Sequence, residues 1–115
     1  MTDLILSLAI STATSLAGLY SRSLSPSPPP IRIEIVEFDN PLRDAVTVRE
    51  MEGEGCVLKM RRSALARHYI IAHEVCHCVE DYELLTPWGY RREVGKVRVR
   101  ELETAAKRCE NRIVR

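Results

Sequence analysis

Aromatic side chains make up only 5% of this chain, and charge of neither sign dominates, with a formal net charge of +1. The basic clusters Arg61-Arg62, Arg91-Arg92 and Arg98-Val99-Arg100 are short and separated. A nucleic-acid binder needs a basic track and stacking platforms, so nucleic acid is not expected as a partner. The four cysteines, Cys56, Cys76, Cys78 and Cys109, show no C-x-x-C spacing, which excludes a zinc ribbon or finger. Cys76 and Cys78 fall on different faces of a helix and cannot easily bond each other. Reduced core thiols in a cytoplasmic protein are therefore expected. At 115 residues there is room for one domain with one core.

The N-terminus lacks what a signal peptide needs. No Lys or Arg precedes the apolar run Leu4 to Tyr20, and Asp3 stands where positive charge belongs. Ser15-Leu16-Ala17 resembles a cleavage site, so secretion is the alternative if residues 1–17 are a leader. The polar residues Ser7, Ser11, Thr14, Ser15, Gly18 and Ser21 recur every three or four positions. That spacing predicts an amphipathic helix packed on the domain, capped by Thr2 or Asp3. The run is short for a transmembrane span, and a membrane is not expected as a partner.

Ser25-Pro26-Ser27-Pro28-Pro29-Pro30 can be neither helix interior nor central strand, and forms a stiff connector. Ile31 to Phe38 alternates apolar with charged residues, as a half-buried strand does. Asp39-Asn40-Pro41 turns the chain, Ala45 to Met51 gives a second strand, and Cys56 to Met60 a third. Gly53 and Gly55 make the hairpin between the last two. Glu83 to Tyr90, with Pro87 and Gly89, reads as a loop.

One stretch names a chemistry. His73-Glu74-Val75-Cys76-His77 is an H-E-x-x-H arrangement. Residues four apart share a helix face, so His73 and His77 can aim their ring nitrogens at one zinc ion. Glu74 lies on the adjoining flank, where it can take a proton from an attacking water. From Leu65 to Val79 the run is apolar on most sides, which predicts a core helix capped by Ser63. Burying His73, Glu74 and His77 there demands strong partners, and a metal supplies them. His68 is five residues before His73 and points away, as a surface or capping histidine.

A catalytic zinc needs a third protein ligand. In Val99 to Val114, Leu102, Ala105, Ala106, Cys109 and Ile113 form an apolar stripe, with Glu101 and Glu103 on its opposite borders. Each lies roughly 100° from the stripe centre, so periodicity cannot choose between them.

An H-E-x-x-H helix followed by a helix carrying E-x-x-A resembles the gluzincin group of zinc metallopeptidases. In so short a chain it most resembles the minimal, single-domain minigluzincins. The resemblance implies an α+β fold: N-terminal helix (1–24), connector (25–30), small three-stranded sheet, active-site helix and C-terminal glutamate helix. It implies that Glu103, three residues before Ala106, completes the zinc site, and that Glu74 is the general base of peptide hydrolysis. Many relatives carry Asp or Asn after that alanine to orient a ligand histidine. This chain has Lys107, which leaves Asp81 or Glu80 for that task.

The resemblance further implies an extended peptide substrate lying along an edge strand, here Cys56 to Met60, and latency imposed by a terminal segment, here Asn111 to Arg115. Tyr82, Tyr90 and Arg91 stand available as oxyanion donors. The alternative to an enzyme is a non-catalytic zinc-binding or regulatory interaction module, closing its site with His73, His77 and Cys76 or Cys109.

Overall fold

The computed structural model describes residues 2–114, with side chains from residue 4 onward. The capping roles expected of Thr2 and Asp3 therefore lie outside the described side chains, as does Arg115 at the other end.

The first helix, α1, spans Thr2–Leu24. Its inner face is made of small residues, with Ala13, Ala17 and Ser21 buried, and Leu6, Ile10, Leu16, Tyr20 and Leu24 packed around them. Ser7, Ser11 and Ser15 point outward as the period predicts, but Ser21, expected in the same polar stripe, is buried, and Thr14 and Gly18 are half-buried. Its outer face also exposes Leu4, Ile5, Leu8 and Leu19. Leu4–Leu24 has the length and mean hydropathy (1.5) of a membrane span, and only 17% of its apolar window is buried.

The connector ends where the sheet begins. Strands β1 (Ile31–Ile35), β2 (Ala45–Arg49) and β3 (Cys56–Met60) form a sheet in the order β1-β3-β2. β1 runs parallel to β3, and β2 runs antiparallel to it. The β2–β3 turn depends on Gly55 twice over. Its φ of 128° suits glycine alone, and a Cβ there would meet the Pro30 carbonyl oxygen at 2.8 Å. Because β3 is paired on both sides, it is the central strand and not an edge. β2 takes the edge position that the sequence assigned to Cys56–Met60.

The motif helix, α2, begins later than its apolar run suggests. Arg62–Ala64 form a 3-10 turn and α2 spans His68–Asp81, with Arg67 at its cap and no side-chain cap bond. Ser63 does not cap it. Ala64 and Leu65 are buried ahead of the helix, where the turn inserts them into the core. α2 then lies in the middle of the molecule, against α1, β2 and a last helix, α3 (Gly95–Ile113). Between them the expected loop contains a small hairpin, β4 (Leu85–Thr86) and β5 (Gly89–Tyr90).

Both cysteine pairs are oxidised, which overturns the expectation of reduced thiols. Cys56 bonds Cys78, and Cys76 bonds Cys109. The two α2 cysteines do face different ways, and each finds a partner from another element. The Cα separations are 5.9 Å and 6.1 Å, within the span a disulfide bridges. On α3 the packed stripe is Leu102, Ala106, Cys109 and Glu110, with Ile113 beside it. Ala105, expected there, is exposed.

Candidate metal centre

His73 and His77 project from the same face of α2, their rings 4.9 Å apart and inclined at 78°. Glu103 on α3 reaches between them. Its Oε2 lies 2.9 Å from His73 Nε2 and its Oε1 lies 3.0 Å from His77 Nε2. The three ligand atoms fall within 4.8 Å of one another. Glu101 is turned away, 3.8 Å from Arg98. Of the two glutamates that periodicity left open, the fold brings Glu103 to the histidines. His68 is exposed at the start of α2 and takes no part.

The opposite ring nitrogens are each held by a carboxylate. His77 Nδ1 is 2.7 Å from Asp81 Oδ2, which also accepts the Tyr90 hydroxyl at 2.7 Å. His73 Nδ1 is 3.1 Å from Glu110 Oε1. In the neutral tautomer whose Nδ1–H groups donate outward, both Nε2 lone pairs point toward Glu103. His77 Nε2 is close to Glu103 in distance but wrongly directed for a hydrogen bond, and it is buried without a partner. A buried acceptor facing a carboxylate oxygen is unfavourable unless a proton or a metal cation lies between them. Two imidazole nitrogens and one carboxylate oxygen are also a zinc donor set. The residues fit the metal.

The surrounding carboxylates favour positive charge at this position, either a proton on each imidazole or a bound cation. Burial works against protonation of His77, but Asp81, Glu103 and Glu74 outweigh it and hold its pKa up to about 10. Burial likewise opposes protonation of His73, and Glu103 and Glu74 turn the balance upward. The two imidazoles facing it, His73 foremost, hold the Glu103 carboxyl well below the ordinary range.

Glu74 is a different kind of carboxylate. It is buried, and Thr47 on β2 places its hydroxyl 2.9 Å from Oε1 and 3.0 Å from the Glu74 carbonyl oxygen. Desolvation pushes its pKa up, against the pull of both histidines and Thr47. It is therefore a stronger base than Glu103 in the same cleft.

The cleft in front of these groups has a volume of about 500 Å³. Its walls come from β2 (Ala45, Val46), the loop before it (Asn40, Leu42), Tyr69 and Tyr90. That loop is pinned from behind by the Arg61 guanidinium, which donates to the carbonyls of Asn40 and Arg43. Of the three expected oxyanion donors, only Tyr90 lines the cleft. The Tyr82 hydroxyl accepts the Gly55 N–H, Arg91 donates to the Glu83 carbonyl, and Tyr90 is committed to Asp81 behind His77.

The described part of the tail, residues 111–114, does not line the cleft. Ile113 packs beside Cys76 and Cys109, and Arg112 reaches toward Glu80. A zinc site closed by Cys76 or Cys109 is excluded, because both sulfurs are in disulfides.

Thr47 and Glu110 were not singled out from the sequence. They act across 27 and 37 residues respectively, and no local spacing marks them. A glutamate within the apolar stripe of α3 was the one available hint for Glu110. Comparison of the chain with protein-family models, curated proteins and solved structures finds no match.

Proposed function

We propose that this chain is a zinc-dependent peptidase of the gluzincin type, with His73, His77 and Glu103 as metal ligands and Glu74 as general base. The observation that carries the reading is the buried, unpartnered Nε2 of His77, aimed with His73 Nε2 at the Glu103 carboxylate. Bound zinc would polarise the scissile carbonyl and acidify the attacking water.

The chain's own groups account for the rest. Thr47 occupies Oε1 of Glu74, leaving Oε2 to take the proton from water and return it to the leaving amine. Asp81 and Glu110 keep the two imidazoles in the tautomer that frees Nε2. Among the described residues β2 is hydrogen-bonded to β3 alone, with the β4–β5 hairpin nearby, and it borders the cleft. Its other edge offers N–H and C=O groups to an extended peptide by strand addition.

The location follows from the sulfur chemistry. Two disulfides and no free cysteine favour an oxidising compartment over the cytoplasm.

The test compares the full chain with Glu74→Gln, both loaded with zinc and checked for folding by circular dichroism. The wild type is expected to bind about one zinc per chain and to cleave casein. The variant is expected to keep the metal and lose at least about 100-fold of the rate, since an amide cannot accept the proton. A chain that binds zinc but cleaves nothing would support the non-catalytic alternative, and one that binds no zinc would end both readings.

A further inference from the structure

Lys107 stands where the resembling family carries an acidic or amide residue, and the structure shows what that exchange accompanies. Glu103, Lys107 and Glu110 are spaced four and three apart on α3, so all three fall on one side of the helix. Glu103 and Lys107 are largely exposed, whereas the Glu110 side chain is only 5% exposed. It sits in the stripe formed by Ala106, Cys109 and Ile113. A carboxylate among such neighbours is unfavourable unless both oxygens find partners. They do, and the partners differ. Oε1 meets His73 Nδ1 at 3.1 Å, and Oε2 meets Lys107 Nζ at 2.9 Å.

The arrangement on His77 is parallel in logic. There Asp81 takes the Nδ1 proton, and the Tyr90 hydroxyl donates to the same carboxylate oxygen. Each histidine thus has a carboxylate behind it, and each carboxylate has a further donor behind that. Four carboxylates, Glu74, Asp81, Glu103 and Glu110, surround the two imidazoles. Lys107 pairs with one of them, Glu110.

We infer that Glu110 is the positioning residue for His73, held in place by Lys107, and that this pair takes over a task the sequence had left to Asp81 or Glu80. Asp81 serves His77 alone, and Glu80 pairs loosely with Arg112 at 3.7 Å. The inference rests on the zinc-binding reading above. Glu110 touches neither substrate nor the reacting atoms. It acts through the imidazole, by fixing its tautomer and orientation and by raising its strength as a ligand.

The experiment measures zinc affinity of the full chain by competition with a chromophoric chelator. The visible spectrum of the cobalt-substituted protein is recorded alongside. Glu110→Ala is expected to weaken zinc binding by about 10–100-fold and to change the cobalt bands, because His73 is free to rotate. Glu110→Gln keeps an oxygen that can accept the Nδ1 proton, so it should lose less than the alanine variant while folding normally. Thermal melting of the metal-free variants separates a structural role from a positioning one. A folded Glu110→Ala chain with wild-type affinity and wild-type cobalt bands would overturn the inference, even if it melted earlier. A wild-type chain that binds neither metal would overturn the zinc-binding reading with it, so the two failures are distinguishable.

Discussion

Thr47 and Glu74 meet across the sheet–helix interface, with the Thr47 hydroxyl 2.9 Å from Oε1 of the buried carboxylate. The proposed base is thereby oriented by β2, the same strand that borders the cleft. Thr47→Val removes the hydroxyl at nearly constant volume and leaves a buried carboxylate short of one donor. We expect a loss of about 1–3 kcal/mol in stability. Peptide hydrolysis should fall roughly tenfold while zinc content stays at the wild-type level. Denaturant unfolding and elemental analysis on the same preparation check both parts. Unchanged hydrolysis would show that Glu74 does not need this contact.

The third ligand is tested by a pair of neighbours. Glu103→Ala should weaken zinc binding by two orders of magnitude or more, because a carboxylate bridging both imidazoles is lost. Glu101→Ala should bind as the wild type does, since its carboxylate faces Arg98. Chelator competition on both variants reads the difference. Damage confined to Glu101→Ala would reverse the assignment.

Tyr90 offers a way to separate support from catalysis. Its hydroxyl is 2.7 Å from Asp81 Oδ2 and 3.0 Å from His77 Nδ1. Burial and the adjoining Asp81 push its pKa upward, so it stays protonated and donates. Tyr90→Phe leaves the His77–Asp81 bond in place and should weaken zinc binding only several-fold, with a matching small loss in hydrolysis. Turnover slowed by about two orders of magnitude at full zinc loading would instead identify it as an oxyanion donor.

The disulfides carry a stability prediction. Replacing Cys76 and Cys109 together by alanine, or Cys56 and Cys78 together, should each destabilise the chain by about 2–4 kcal/mol. Thermal melts with and without reductant check this, and the wild type should lose stability on reduction. Alkylation of the unreduced, denatured chain followed by mass spectrometry should find no free thiol. Four alkylated cysteines would return the protein to a reducing compartment.

What the sequence revealed depended on how far apart the interacting residues lie. His73, Glu74 and His77 share one helix, so their spacing alone implied their geometry. Gly53 and Gly55 marked their hairpin, and the proline run marked the boundary between α1 and β1 for equally local reasons. Strand order was not legible, because the β1–β3 pairing joins segments separated by all of β2. Which glutamate of α3 faces the histidines depends on how two helices cross, and periodicity fixes a stripe without fixing what it meets. The cysteine partners, 22 and 33 residues apart, left no mark in the spacing either. Composition favoured free thiols and the fold made bonds.

Cys76 and Cys78 stand on either side of His77, and their bridges run in different directions, one to α3 and the other to β3. The backbone that carries this histidine is therefore fastened on both flanks before any metal arrives. In small zinc domains the ion commonly drives folding, and chelation unfolds them. Here covalent cross-links already hold the two helices that carry the proposed ligands. Chelators should strip the metal and leave the domain standing, and metal exchange should proceed at the rate of a local opening of the cleft, not of global unfolding.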